Sequence, residues 1–382
     1  MLCSEAAIFG FMNIGVSAAL LDEKRPKIKI FSQEIVTALA TAHPEHTFHV
    51  FTDCALNTYP RATNVVLHAL KPVQRNPIYM KYWLDVKLPK MLKKISAGVL
   101  LSTDGSCSLT SNMPQCLIVH DLSFLQNSNS TKKWLHWFYK IYTSKFLRKA
   151  THVIPVSEHL KKLVAERYRL SDKKTSVVYP GTRNIFLPLS DREKTSVKEK
   201  YTGGREYFLY DGDFDAKALI DILKAFSIFK KRLRSEMKMV FIADVEKSGD
   251  VAKLLQTYKY KDDVVLTSDV GEDPAPVAAS SYAIVYMGKV LSGATFAAEV
   301  LRTEVPLLVP ADSALCEIAG DAALYFDSRK IEDIADKLML IYKDENLRSD
   351  LIKKGIARSL EFSWERSAEQ MWKVLTAAAH CG

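Results

Sequence analysis

Residues 283–310, AIVYMGKVLSGATFAAEVLRTEVPLLVP, read as strand, glycine-containing loop, helix and second strand. Residues 283–287 are a short apolar run suited to a buried parallel strand. Residues 294–302 are rich in helix formers and hold one acid, Glu299. Backbone N–H groups and the positive end of the helix macrodipole collect where loop meets helix, so the turn of Ser292, Gly293, Ala294 and Thr295 is where a diphosphate would lie. The same pattern also describes an ordinary βαβ crossover with no ligand, and the stretch by itself leaves both readings open.

Working outward, 382 residues at 48% hydrophobic content can bury more than one core, which predicts two or three domains of a globular protein. The formal charge of +9 is unevenly spread: residues 1–190 carry 25 Lys/Arg against 12 Asp/Glu, leaving 28 against 32 for the rest. A basic first half suits an anionic partner such as lipid head groups, a phosphorylated acceptor or nucleic acid, or else forms a solvated face. No recognised nucleic-acid module is present, so no specific nucleic-acid partner is expected. The six cysteines show no CxxC spacing and read as free thiols of a reducing compartment. The apolar run 6–21 follows no Lys or Arg and is shorter than a membrane span. Residues 1–11 read as an N-terminal extension, and the expected location is cytoplasmic, peripheral at the inner face of the membrane.

Along the chain, apolar runs predict strands at 12–19, 47–52, 98–102, 115–120, 153–156 and 176–179, with helices at 30–42, 79–95, 132–150 and 158–168. The run 115–120 delivers His120 and Asp121 at a carboxyl end, where open α/β sheets place functional side chains. The aromatic stripe of helix 132–150 (Trp134, Trp137, Phe138, Ile141, Tyr142, Phe146) reads as core, and its interleaved lysines as a solvated or membrane-resting face. Residues 182–205 are polar and aperiodic, which predicts a linker at 186–205 between domains 12–185 and 206–362. The second half repeats the strand and helix alternation from residue 207, and 363–382 form a last helix. Two βα-repeat domains predict a crevice in which a nucleotide and a second substrate meet.

This order of features resembles the family 4 (group 1) retaining glycosyltransferases, α/β proteins of the GT-B fold with two Rossmann-like doubly wound domains facing across a crevice. The resemblance rests on Val119-His-Asp-Leu-Ser-Phe124, Val156-Ser-Glu158, Val177-Val-Tyr-Pro-Gly181, Glu317-Ile-Ala-Gly-Asp-Ala-Ala323 and Phe362-Ser-Trp364. It implies an N-terminal acceptor domain, a C-terminal nucleotide-sugar domain and a last helix crossing back. It further implies that His120 faces the donor sugar, Glu299 holds the ribose, Gly212, Lys217 and the turn Ser292–Thr295 lie at the diphosphate, and Glu317 lies near the nucleotide. Several family features are altered: Ser292-Gly293-Ala294 replaces the family's glycine-rich turn, and Lys27 and Lys29 stand where it often has glycines. Leu291 stands where the family has a glutamate, and a leucine accepts no hydrogen bond from a sugar hydroxyl. After Gly212, the run Asp213-Phe-Asp-Ala-Lys217-Ala-Leu219 keeps one cation where two are usual.

The implied function is transfer of a sugar from a UDP- or GDP-linked donor to an anionic or lipid-linked acceptor, in polysaccharide or glycolipid synthesis, without a cofactor or bound metal. The competing reading is a GT-B homologue that has lost catalysis and serves as a binding or partner subunit. For Glu299, the alternative to a ribose contact is a salt bridge, with Arg302 at i+3 the nearest candidate. For His120 it is a hydrogen bond within its own loop.

Overall fold

The computed structural model describes residues 10–18, 26–52, 62–69, 76–122, 133–212, 216–242, 254–267, 274–287, 293–313 and 315–380. The chain divides into two compact units, Met1–Pro180 with Ser363–Gly382, and Gly181–Phe362. Each is built on one six-stranded, wholly parallel sheet.

In the first unit the strands are β1 (Asn13–Ala18), β2 (Thr47–Thr52), β3 (Val65–Ala69), β4 (Ala97–Ser102), β5 (Gln115–Val119) and β6 (His152–Pro155), in the order β3-β2-β1-β4-β5-β6. The helices between them are α1 (Pro26–Ala42), α2 (Pro77–Tyr82), α3 (Leu88–Lys94), α4 (Lys133–Lys149) and α5 (Glu158–Tyr168). The second unit carries α6 (Asp191–Thr202), β7 (Tyr207–Gly212), α7 (Ala216–Leu233), β8 (Lys238–Ile242), β9 (Val264–Thr267), α8 (Ala275–Ala279), β10 (Ala283–Met287), α9 (Gly293–Leu301), β11 (Leu307–Pro310), α10 (Leu315–Ala319), β12 (Ala323–Phe326), α11 (Ile331–Lys343) and α12 (Glu345–Ser359). Its order, β12-β11-β10-β7-β8-β9, repeats that of the first. α13 (Trp364–His380) returns to the first unit, where it packs on α1, β4 and β5.

β1 and β5 are buried along nearly their whole length, with Ile14, Val16, Leu117, Ile118 and Val119 among their apolar residues, because both faces of a parallel sheet are covered. Gly15 in β1 lies against Leu92 of α3, and a side chain at that position would collide with it. The second core gathers Phe208, Tyr210, Phe226, Phe229, Met239 and Phe241 with Leu338 of α11.

Four local readings are revised. The linker predicted at 186–205 contains α6, whose Ser190 N-cap and Glu193 form a capping box and whose end is Gly203 at φ 62°. The strand predicted at 176–179 lies beside β6 through Ser176 N to Val153 O and Val178 N to Pro155 O, both 3.2 Å, without forming a ladder. β3 is an edge strand that the apolar pattern did not predict. Finally, the helix predicted at 79–95 is interrupted by a π turn, Trp83–Lys87. Pro89 has no N–H to give the carbonyl of Asp85, and the hydroxyl of Thr110 donates to that carbonyl instead at 2.6 Å.

All nine histidines and all five tryptophans fall in the first unit. Burial lowers the pKa of His43, His46, His49, His68 and His152 from 6.5, with Glu45 opposing the shift at His43 and His46. At His46 the geometry agrees, since Nδ1 accepts the backbone N–H of Met12 at 3.1 Å and protonation would break that bond. A depressed histidine pKa means that the unfolded chain takes up protons first. Stability present above about pH 6.5 is therefore lost as pH falls from there through the folded-state values. Denaturation followed by tryptophan fluorescence should show the first unit weakening on acidification through this window, while the second unit, which holds no histidine, does not respond through this mechanism.

Candidate functional site

Strand order reverses direction twice, between β1 and β4 in the first unit and between β7 and β10 in the second. The carboxyl edges beside these switch points are where open α/β sheets bind ligands.

In the second unit, Gly212 and Met287 end β7 and β10 and are register partners, so the two strands end side by side. α9 begins at Gly293 and contains Ala294, Thr295 and Glu299, while Ser292 and Leu291 lie outside the described residues. Phe296 of α9 is buried edge-on against Phe186, with ring centroids 5.9 Å apart. Lys217 sits in the first turn of α7, exposed, with its ammonium 2.5 Å from Asp221 Oδ2. Glu317 is partly buried on α10, a short helix that packs against α9. Arg358 closes the end of α10, donating to the carbonyls of Glu317 at 2.7 Å and Ile318 at 2.9 Å.

Glu299 is 1% exposed, and its carboxylate is held by a guanidinium through two parallel bonds: Arg183 Nε to Oε1 at 2.5 Å and Nη2 to Oε2 at 2.9 Å. Sequence reasoning offered Arg302 as the salt-bridge alternative, and the structure corrects the partner to Arg183. Arg302 instead holds the segment that carries Arg183, donating to Thr182 Oγ1 at 3.0 Å and, at 3.4 Å, to Arg183 O and Asn184 Oδ1. Arg183 also lies over the ring of Phe186, 4.9 Å from its centroid. A buried carboxylate requires such a partner, and the planar fork meets that need in a way a lysine would not.

In the first unit, His120 follows β5 and is buried. Its Nε2 donates to the Thr103 carbonyl at 2.9 Å, which fixes the proton on that nitrogen because a carbonyl only accepts. Phe31 packs edge-on against its ring at 4.8 Å and is in turn edge-on to Trp364 at 5.3 Å. Beyond His120 lies a buried polar group that the sequence reading did not single out. Asp104, fully buried, accepts from Ser106 N at 3.0 Å, Ser106 Oγ at 2.7 Å and Ser17 Oγ at 3.4 Å. Tyr139 OH donates to its backbone carbonyl at 2.7 Å. The signal was present in Ser102-Thr-Asp-Gly-Ser106, a polar run directly after an apolar strand at the switch point. Asp104, His120, Asp121, Tyr139 and Thr143 line a cavity of about 20 Å³, far smaller than the few hundred Å³ of ligand pockets.

Two parallel doubly wound units define the fold class as GT-B. The fold is that of a glycosyltransferase from Rickettsia africae ESF-5 (TM-score 0.73, 14% identity, covering 97% of this chain and 99% of that one) and of sucrose-phosphate synthase from Thermosynechococcus elongatus (0.73, 15%, 97% and 100%). It is also that of Anabaena HepE solved with UDP and glucose (0.71, 11%, 96% and 99%). No curated protein matches the chain by sequence. Two family profiles do match: Glycosyltransferase Family 4 over residues 31–183 and Glycosyl transferases group 1 over residues 191–358. The chain therefore belongs to the group 1, family 4 glycosyltransferases. Among the described residues no helix is long and apolar enough to cross a membrane, and the three described cysteines, Cys107, Cys116 and Cys316, are unpaired.

Proposed function

We propose that the chain transfers a sugar, with retention of anomeric configuration, from a UDP- or GDP-linked donor held by the second unit to an anionic or lipid-linked acceptor held by the first. The observation that carries this reading is the match of a glycosyltransferase family profile to each of the two units. The donor complexes of Anabaena HepE support a nucleotide sugar as the substrate. The proposed roles follow the edges described above. Backbone amides of Gly293, Ala294 and Thr295, near Gly212, take the diphosphate; Lys217 balances its charge; Glu299 and Glu317 meet the nucleoside; and His120 orients the sugar. No cofactor enters the scheme. Synthesis of a cell-surface polysaccharide or glycolipid at the cytoplasmic face is the setting it fits.

A second reading, a partner subunit without catalysis, is favoured by one specific observation. Two side chains assigned to the donor already hold partners of their own, Glu299 with Arg183 and Lys217 with Asp221. Leu291→Glu separates the two readings. Incubated with labelled nucleotide sugars and a panel of acceptors, a transferase should show transfer or slow donor hydrolysis that this substitution raises, because it restores an acceptor for sugar hydroxyls. A wild-type chain and a variant that both leave every donor intact would overturn the transferase reading.

A further inference from the structure

We propose that α2 and α4 form a docking surface for an anionic lipid bilayer. The two helices pack side by side, and each turns an apolar i, i+4 pair to solvent: Ile78 and Tyr82, exposed by 84% and 47%, and Trp137 and Ile141, exposed by 53% and 36%. The sequence predicted the aromatic stripe of α4 as core. Phe138 and Phe146 are core, whereas Trp137 faces outward.

The charge of the stretches that carry these residues selects the occupant. α4 contains Lys133, Lys140, Lys145, Arg148 and Lys149 and no acid, and residues 77–94 contain Lys81, Lys87, Lys90, Lys93 and Lys94 against one acid, Asp85. These two stretches together carry +9, equal to the formal net charge of the whole chain. Asp85 is turned inward, with Lys81 and the N–H of Leu109 on its carboxylate. The lysines lie over aromatic rings: Lys87 with Tyr79 and Tyr82, and Lys81 and Lys145 with Tyr142. Exposed Trp, Tyr and Ile among long cations suit the bilayer interface, where aromatic rings sit at head-group depth and lysine stems lie along apolar surface while their ammonium groups reach lipid phosphates. A protein partner of ordinary composition would not account for ten cations with one sequestered acid. A soluble polyanion would not account for the outward Ile78 and Trp137.

The inference stands apart from the transferase reading, and its test reads binding alone. The full chain is sedimented with vesicles of phosphatidylcholine and with vesicles containing phosphatidylglycerol as well. Binding is expected only to the anionic vesicles, with a blue shift of tryptophan emission that Trp137→Phe removes. Partitioning should fall about tenfold or more in Ile78→Asp/Trp137→Asp and in Lys140→Glu/Lys145→Glu. All four positions are exposed, so circular dichroism should show these variants folded. Equal binding to both vesicle types, no binding to either, or binding that the apolar double variant leaves unchanged would overturn the proposal. So would binding to heparin with no emission shift and none to anionic vesicles.

Discussion

Arg183→Ala is expected to lower the stability of the second unit by about 3 to 5 kcal/mol, because it removes the partner of an almost fully buried carboxylate. The penalty belongs to the stranded Glu299 more than to the lost attraction. Replacing both members of the pair, as Arg183→Met with Glu299→Leu, should therefore recover most of the loss. Arg183→Lys should fall between, since one ammonium cannot reproduce two parallel bonds. The distribution of tryptophans makes the measurement clean. With all five in the first unit, fluorescence follows that unit, far-ultraviolet circular dichroism follows both, and amide exchange resolved by segment follows the second alone. The fluorescence transition should stay in place, while amide protection in the second unit falls and the dichroism curve gains an earlier component that fluorescence does not show. An Arg183→Ala protein as stable as wild type would mean that Glu299 does not depend on Arg183.

The second large effect concerns chemistry. On the proposed reading, His120→Ala should reduce sugar transfer about 100-fold, the scale set by removing one polar group aimed at the reacting sugar. The side chain also has a structural duty through Thr103 and Phe31, so stability alone cannot decide its role. Activity normalised to the folded fraction does decide it. A loss in kcat with the fold intact assigns His120 to the reaction, whereas unchanged activity per folded molecule leaves it a packing residue.

Much of the fold was legible because buried parallel strands are short apolar runs bounded by polar turns, as at Ala283–Met287 and Gln115–Val119. Helices were read with small errors at their ends. What escaped had physical reasons. α6 is polar almost throughout, so hydrophobic periodicity could not reveal it, although its Ser190 and Glu193 spell a capping box. β3 is an edge strand whose side chains are only partly covered, which blurs the apolar pattern. The π turn depends on Thr110 meeting Asp85 across the fold.

The candidate site divides in the same way. Its strand ends and helix starts could be placed from the sequence, because each apolar run stops at a polar or glycine-containing turn before the next helical pattern. The partner of Glu299 could not. Arg183 lies 116 residues away, and the local pattern offered only Arg302, which in the structure secures the Arg183 segment instead.

Titration calorimetry of UDP and of GDP into the wild-type chain tests the central claim most directly. The transferase reading expects one of the two to bind with a single site, with nucleotide binding raising the unfolding midpoint of the second unit as linkage requires. Heat from neither nucleotide, together with an unchanged midpoint, would contradict it and leave the chain a glycosyltransferase homologue that holds Glu299 for its own fold.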